Sequence, residues 1–421
     1  MAKIPLPHQL EGAEFLASRK RGALWFLPRV GKTLTTILAL EKIEAKSILV
    51  ICPSTVQRVW LDELAERGIK AKICKGDPVK KRKIMHKEAV VICTYESSWR
   101  LNANGRKWDA IVFDESIKLA NWQTKQTSHW FAIEPDTAVF LLSGAPCPEG
   151  YLQIASQMII CRGIWFGHVD IYGYLQEYWH YDKDRYTWIC DFPGHLTEVA
   201  RRVKIIGMAK SREDLGMADR KFYSYLPVEA DDAQIKALAH VEASDREPVH
   251  KAMYAQRIGS GWDENGELIS MNKIQAIAAW IKERTEVEPD FRAVVMCRYK
   301  DEIPLIAKSI GGSYINGDVI GAERDRRIQG FQSGKHKHLV CQVVVAKMGI
   351  DLSKARTIIY ASNSWSGDDR IQSQERCTNL NLQDPVQIID VIVEGPGFGI
   401  DYAIAQAIRD KKDFNANLLR N

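Results

Sequence analysis

Residues 24–40 read LWFLPRVGKTLTTILAL: an apolar run with the look of a buried strand, a short turn, then apolar residues at helical spacing. The junction falls at Gly31, Lys32 and Thr33. A phosphate loop needs this order. Amides and dipole at a helix start attract phosphate, and glycine lets the backbone come close. The lysine reaches the β- and γ-phosphates, and the threonine hydroxyl holds Mg²⁺. The fuller GxxxxGKT pattern has its first glycine five residues before the second, where this chain has Phe26. Alone, GKT equally describes a helix start with an exposed lysine.

The balance is tipped by IVFDES, residues 111–116, a second strand-like run that ends in two acids. In a nucleotide hydrolase, Asp114 would hold the Mg²⁺–nucleotide, directly or through water. Glu115 would orient and deprotonate the attacking water. Adjacent acids after a strand also cap helices. Strand–GKT–helix followed downstream by strand–DE nevertheless points to ATP hydrolysis.

Outward from these two sites, GALWFL, SILVIC, AVVICT, DAIVFDE and TAVFLLSG read as buried strands, and TLTTILALEKIE and STVQRVWLDELAER as helices. The second half repeats the alternation. RAVVMC, KHLVCQVVV, RTIIYA and VQIIDVIVEG are strand-like; KDEIPLIAKSI, ERDRRIQGFQSG and DYAIAQAIRDKKDF are helix-like. Such alternation predicts parallel sheets covered on both faces, with ligands beyond the carboxyl ends of the strands. The fold class is α/β, with two tandem domains at 1–225 and 226–421. Within the first, about 151–225 loses the rhythm and reads as a helical or irregular insertion and connector. Its Tyr178, Trp179, Lys183 and Arg185 suit nucleic acid or, equally, packing.

Composition bounds the partners. The chain has 421 residues, 46% apolar and 26% charged, which is ordinary globular usage with room for two or three cores. No apolar run approaches the ~18 residues of a membrane span, and the N-terminus lacks the layout of a secretory signal. A net charge of +5 is compatible with a polyanionic partner without demanding one. Nine cysteines form no CxxC pair, and several sit in apolar strand-like runs, so reduced core thiols and a cytoplasm are expected. His336 and His338 alternate on a strand without a nearby third ligand, which argues against a metal there.

Further signals follow in a fixed order: PLPHQLEGAEFL with Gln9, CPST with Ser54 and Thr55, ICTYES with Thr94, LLSGAP with Ser143, Gly144 and Pro146, VVVAKMGIDL with Gly349 and Asp351, and DRIQSQERCTNLN with Gln372 and Arg376. On these motifs the chain resembles a superfamily 2 helicase-like ATPase of the Swi/Snf-like branch, particularly the compact versions found in phages. The resemblance spans almost the whole chain. It implies two RecA-like domains with an ATP cleft between them, ATP and Mg²⁺ as cofactors, and DNA, duplex or branched and of any sequence, as partner. A monomer without membrane attachment is expected.

Residue by residue, the resemblance places Gln9 on the adenine. The loop Arg29, Val30, Gly31, Lys32, Thr33 and Leu34 takes the phosphates, and Thr33 and Asp114 hold Mg²⁺. Lys32, Asp114, Glu115 and Arg376 are catalytic. Gly349, Asp351 and Gln372 complete the nucleotide site, while Ser54, Thr55, Thr94, Lys347 and Trp365 contact nucleic acid. This superfamily does not require the outer glycine, so Phe26 is no objection. Arg29 replaces a commoner glycine, and Ile117 stands where histidine is usual. The largest departure is in the motif Q-x-x-x-R-x-x-R: Gln372 and Arg376 are in place, but Asn379 occupies the second arginine. An arginine finger is worth about 10³–10⁵ in turnover. Three outcomes compete: Arg376 or Arg370 substitutes, the enzyme is slow, or the chain binds nucleotide and DNA without turnover. Intact Lys32, Thr33, Asp114 and Glu115 favour hydrolysis. An RNA helicase is a further alternative, disfavoured by the DESI box.

Overall fold

The computed structural model describes residues 4–27, 30–148, 150–161, 171–184, 187–190, 193–210, 213–215, 221–346, 350–377 and 385–419. The chain divides into two units, Met1–Ala218 with Asp413–Asn421, and Asp219–Lys412.

The first unit is built on β1 (Arg21–Phe26), β2 (Ile48–Ile51), β3 (Lys72–Ile73), β4 (Val90–Cys93), β5 (Ala110–Asp114) and β6 (Ala138–Leu142). A hairpin of β7 (His180–Asp182) and β8 (Thr187–Ile189) stands apart, and β9 (Gly207–Lys210) rejoins the sheet. Its order is β3-β4-β2-β5-β6-β1-β9, parallel throughout. The helix α1 (Pro7–Arg19) precedes β1, and the crossovers include α2 (Lys32–Lys42), α3 (Gln57–Glu66), α4 (Pro78–Lys87) and α5 (Tyr95–Arg100). Every residue of β2, β4, β5 and β6 is buried. One face packs Trp25, Phe113 and Trp130; the other packs Phe26, Val112, Phe140 and Trp60. Burial on both faces is why these strands read as unbroken apolar runs.

The segment expected to be a helical or irregular insertion and connector carries helices among its described residues. The helix Leu152–Cys161 is buried in the core of the unit, and the helix Pro193–Ile206 leads into β9. β9 is short and begins with Gly207, where a Cβ would lie 1.8 Å from Trp25 Nε1. Only glycine lets this strand seat against β1. Tyr178 and Trp179 lie in the same core, 4% and 7% exposed, stacked around Tyr174. Packing, rather than nucleic acid, occupies both rings. Lys183 is exposed, and Arg185 lies outside the described residues.

The second unit carries β10 (Lys221–Glu229), β11 (Ala293–Cys297), β12 (Ser313–Ile315), β13 (His338–Gln342), β14 (Thr357–Tyr360) and β15 (Val386–Glu394). Their order is β10-β15-β14-β11-β13-β12, again all parallel. The boundary expected at 225 falls inside β10, which pairs with β15 along its whole length. As an edge strand that carries Pro227 and keeps most residues partly exposed, β10 lacks the apolar run that would announce it. Val343, Val344 and Val345, read as strand, lie in a helical turn, Val343–Ala346. All nine cysteines are free, and among the described residues no helix is long and apolar enough to cross a membrane.

Candidate nucleotide and nucleic-acid site

In the first unit, five motifs gather on the carboxyl edge of one parallel sheet. Gly31 follows β1, Asp114 closes β5, and Ser143 follows β6. Ser54 and Thr55 follow β2, and Thr94 follows β4. This is the edge where such sheets bind ligands.

Gly31 caps α2 with φ 93° and ψ 30°, and a Cβ there would lie 2.0 Å from Gln9 Nε2. The glycine therefore serves both the turn and the approach of α1. Gln9 Oε1 accepts from Leu6 N at 2.8 Å, and His8 Nε2 lies 2.9 Å from Val30 O. The first turn of α1 is thus fastened onto the loop, with the Gln9 amide against Gly31. Lys32 Nζ donates to Phe26 O at 2.9 Å, folding the lysine back over the loop. Val30 and Leu34 are buried and Thr33 is half-buried; Arg29 lies outside the described residues.

Asp114 is buried at the end of β5. Trp60 Nε1 donates to its Oδ2 at 2.8 Å, and Glu115 N to its Oδ1 at 3.0 Å. Burial, then the charge of Glu115, pushes the Asp114 carboxyl up to about 6; Trp60, Lys32 and the Glu115 amide pull the other way. Glu115 takes φ 54° and ψ 56°, a left-handed conformation that costs a non-glycine residue about 1–2 kcal/mol. Two neighbours hold the turn. Tyr95 Oη donates to the carbonyls of Asp114 (2.9 Å) and Glu115 (3.3 Å). Ser116 Oγ donates to Gln157 Oε1 at 2.7 Å, and Gln157 Nε2 donates to Pro146 O at 2.7 Å. The fully buried Gln157 side chain therefore ties the DESI box to SGAP. Trp60, Tyr95 and Gln157 were not singled out from sequence, because each acts through contacts 11 to 54 residues away. Their only local sign is a polar group inside an apolar helix face.

Ser54 is exposed and Thr55 half-buried in the turn before α3. Thr94 caps α5, its hydroxyl accepting from Ser97 N at 3.2 Å, and keeps its own proton to donate. The donor set suits the expected ligands. An open helix start and a lysine match phosphate, and a hydroxyl with a raised-pKa carboxyl matches a hard, oxygen-seeking cation such as Mg²⁺.

In the second unit, Asp351 is exposed, and its Oδ1 accepts from Ser353 N at 3.0 Å. The helix Gly367–Cys377 carries Gln372, which donates to Asp368 at 2.8 Å, and the half-buried Arg376 in its last turn. Leu352 N donates to Arg376 O at 2.9 Å, which fastens the Asp351 loop to the end of this helix. Trp365 is 39% exposed and walls a cavity of about 310 Å³ with Arg298, Val344 and Asp369. Lys347, Gly349 and Asn379 lie outside the described residues. Arg370 cannot act as the substitute finger. It is 6% exposed, bonds both oxygens of Asp390 at 2.6 and 3.0 Å, meets Asn363 at 2.6 Å, and stacks on Tyr360.

An SNF2-related domain matches residues 8–172, and a helicase conserved C-terminal domain matches residues 272–381. With these two domains in this order, the chain belongs to the Swi/Snf-like branch of the superfamily 2 helicase-like ATPases. It is 31% identical over 184 residues to the Danio rerio DNA excision repair protein ERCC-6-like, covering 38% of this chain and 13% of that one. It is 22% identical over 417 residues to the Xenopus tropicalis SWI/SNF-related matrix-associated actin-dependent regulator of chromatin subfamily A-like protein 1, covering 93% of this chain and 42% of that one. The chain thus spans less than half the length of these curated relatives. The Sulfolobus solfataricus SWI2/SNF2 ATPase core, solved with double-stranded DNA, aligns over 100% of this chain and 93% of its own at 18% identity and a TM-score of 0.48.

Proposed function

We propose that the chain is a DNA-dependent ATPase that translocates on duplex or branched DNA, working as a cytoplasmic monomer with ATP and Mg²⁺. The observation that carries the reading is the acid pair. Asp114 and a strained Glu115 stand on the same sheet edge as Gly31 and Lys32, with the Asp114 carboxyl held by Trp60 and both backbone carbonyls by Tyr95. In this reading Lys32 and the amides at the start of α2 take the phosphates, and Gln9 reads the base. Thr33 and Asp114 hold Mg²⁺, and Glu115 takes the proton of the attacking water. Arg376, Gln372, Asp351 and Gly349 are the second unit's contribution to the nucleotide. With Arg370 committed to Asp390, Arg376 is the remaining candidate for transition-state charge. Ser54, Thr55, Thr94, Lys347 and Trp365 grip the backbone through phosphates, which makes binding sequence-independent and salt-sensitive.

Asparagine at 379 favours a second reading, a nucleotide-dependent DNA clamp with little turnover. Phosphate release with and without duplex DNA separates the two, and RNA as competitor tests the nucleic acid. The motor reading expects DNA to stimulate release and Lys32→Ala to abolish it. No release with any DNA, or release unaltered in Lys32→Ala, would leave only the clamp.

A further inference from the structure

One strongly positive stretch lies outside the motifs. Residues 70–88 hold eight Lys and Arg against two Asp and Glu, a net of +6; the whole chain carries +5, so everything outside the segment nets −1. The segment runs from the end of α3, through the edge strand β3, to the end of α4. Ile84 and Met85 anchor α4 in the core, and Asp77 caps it by accepting from Lys80 N at 2.9 Å. The cations lie on the other side, with Lys75, Lys80, Arg82, Lys83 and Lys87 all exposed. Among the described residues only Lys72 of this group makes an ion pair, with Glu88 at 2.5 Å. Lys80, Lys83 and Lys87 fall three and four residues apart, so like charges repel along one helical face. That arrangement opposes the helix slightly unless a polyanion neutralises it.

The location says which polyanion. β3 neighbours β4, β4 neighbours β2, and β2 neighbours β5, all parallel. The turn at Lys75 after β3 therefore stands in one row with Thr94, with Ser54 and Thr55, and with Asp114. At about 4.8 Å per strand the row spans about 14 Å. A membrane surface is a poor match. An interfacial helix lays its apolar side on the lipid, and the apolar pair of α4 is already buried in the protein.

We propose that Lys75 and the exposed face of α4 form an auxiliary surface for the phosphate backbone of nucleic acid, continuous with the Thr94–Ser54 row. The proposal rests on DNA being the partner, as proposed above, but it concerns binding and not turnover. Its contacts are charge to phosphate, so it adds affinity without sequence preference.

The test is fluorescence anisotropy with a duplex at several salt concentrations, comparing wild type with the combined variant Lys80→Gln, Arg82→Gln, Lys83→Gln. Glutamine keeps helix propensity while removing charge. The surface predicts about tenfold weaker duplex binding and a log K against log salt slope shallower by about 1 for each lost phosphate contact. Nucleotide affinity without DNA stays at the wild-type level, and the melting temperature does not fall. Equal affinity and slope in the two proteins overturns the proposal. So does a wild type that binds anionic phosphatidylserine vesicles but not the duplex. DNA binding without ATP turnover, weakened in the variant, removes the motor and keeps the surface. DNA-stimulated turnover with unchanged variant affinity does the reverse.

Discussion

Each unit buries an aspartate at the carboxyl side of its sheet, and the two are neutralised in opposite ways. Asp390 in β15 is 1% exposed and meets Arg370 through both oxygens, with Asn363 at 2.9 Å and Arg409 at 3.8 Å. Asp114 in β5 is nearly as buried, yet its close donors are an indole and an amide, neither charged. Burial pushes its carboxyl up to about 6, and Lys32 only partly offsets that. A raised pKa does not by itself mark a site, since Glu302, pushed up to about 7 by burial, is satisfied by Ser362 and the Tyr299 amide. What distinguishes Asp114 is its company: the phosphate loop on one side and a strained Glu115 on the other. The acid of the second unit has its countercharge built in, whereas the close donors of the first are uncharged.

This contrast predicts a graded series of stability effects. The largest belongs to Arg370→Ala, which strands the Asp390 charge. Removing one partner of a buried pair costs about 3–5 kcal/mol, and the lower figure is expected because Arg409 and Asn363 remain. Denaturant unfolding measures it; a loss under about 1 kcal/mol would mean that Arg370 is less committed than its geometry. Arg376→Ala should by contrast change stability by under about 1 kcal/mol while lowering turnover at least a hundredfold.

Asp114→Asn comes next, and its effect varies with pH. A carboxyl raised from 3.8 to about 6 favours the protonated form in the folded state. Its stabilising contribution is therefore complete below about pH 4 and is lost as pH rises through about 6. Asparagine keeps one acceptor for the two donors, so the variant starts from a lost hydrogen bond. Its stability relative to wild type should nevertheless rise by about 2–3 kcal/mol between pH 4 and pH 8. Melting temperatures across that range check the sign. A difference that does not change with pH would show that Asp114 is already neutralised within the protein.

How much of this was legible in the sequence follows from the range of the interactions. The phosphate loop, the acid pair and most buried strands are local signals, and GALWFL, SILVIC and DAIVFDE all form the expected strands. β9 and β10 were missed because they are a glycine-led tetrapeptide and a half-exposed edge strand containing proline. Trp60, Tyr95 and Gln157 gain their meaning only when β5 is brought between α3, α5 and the helix Leu152–Cys161. The commitment of Arg370 was partly visible, since Asp390 is a lone acid inside the apolar run of β15. The basic segment at 70–88 was visible outright as a charge run, but its row with Thr94 and Ser54 needs the strand order.

The central claim is that the carboxyl edge of the first sheet is a hydrolytic site in which Glu115 acts on water and not on binding. Glu115→Gln tests it most directly, with ATP affinity and DNA-stimulated phosphate release measured on the same preparation. Affinity should stay within about twofold of wild type, while release falls by about 10²–10⁴. Equal release in the two proteins, or a parallel collapse of affinity, would contradict the account.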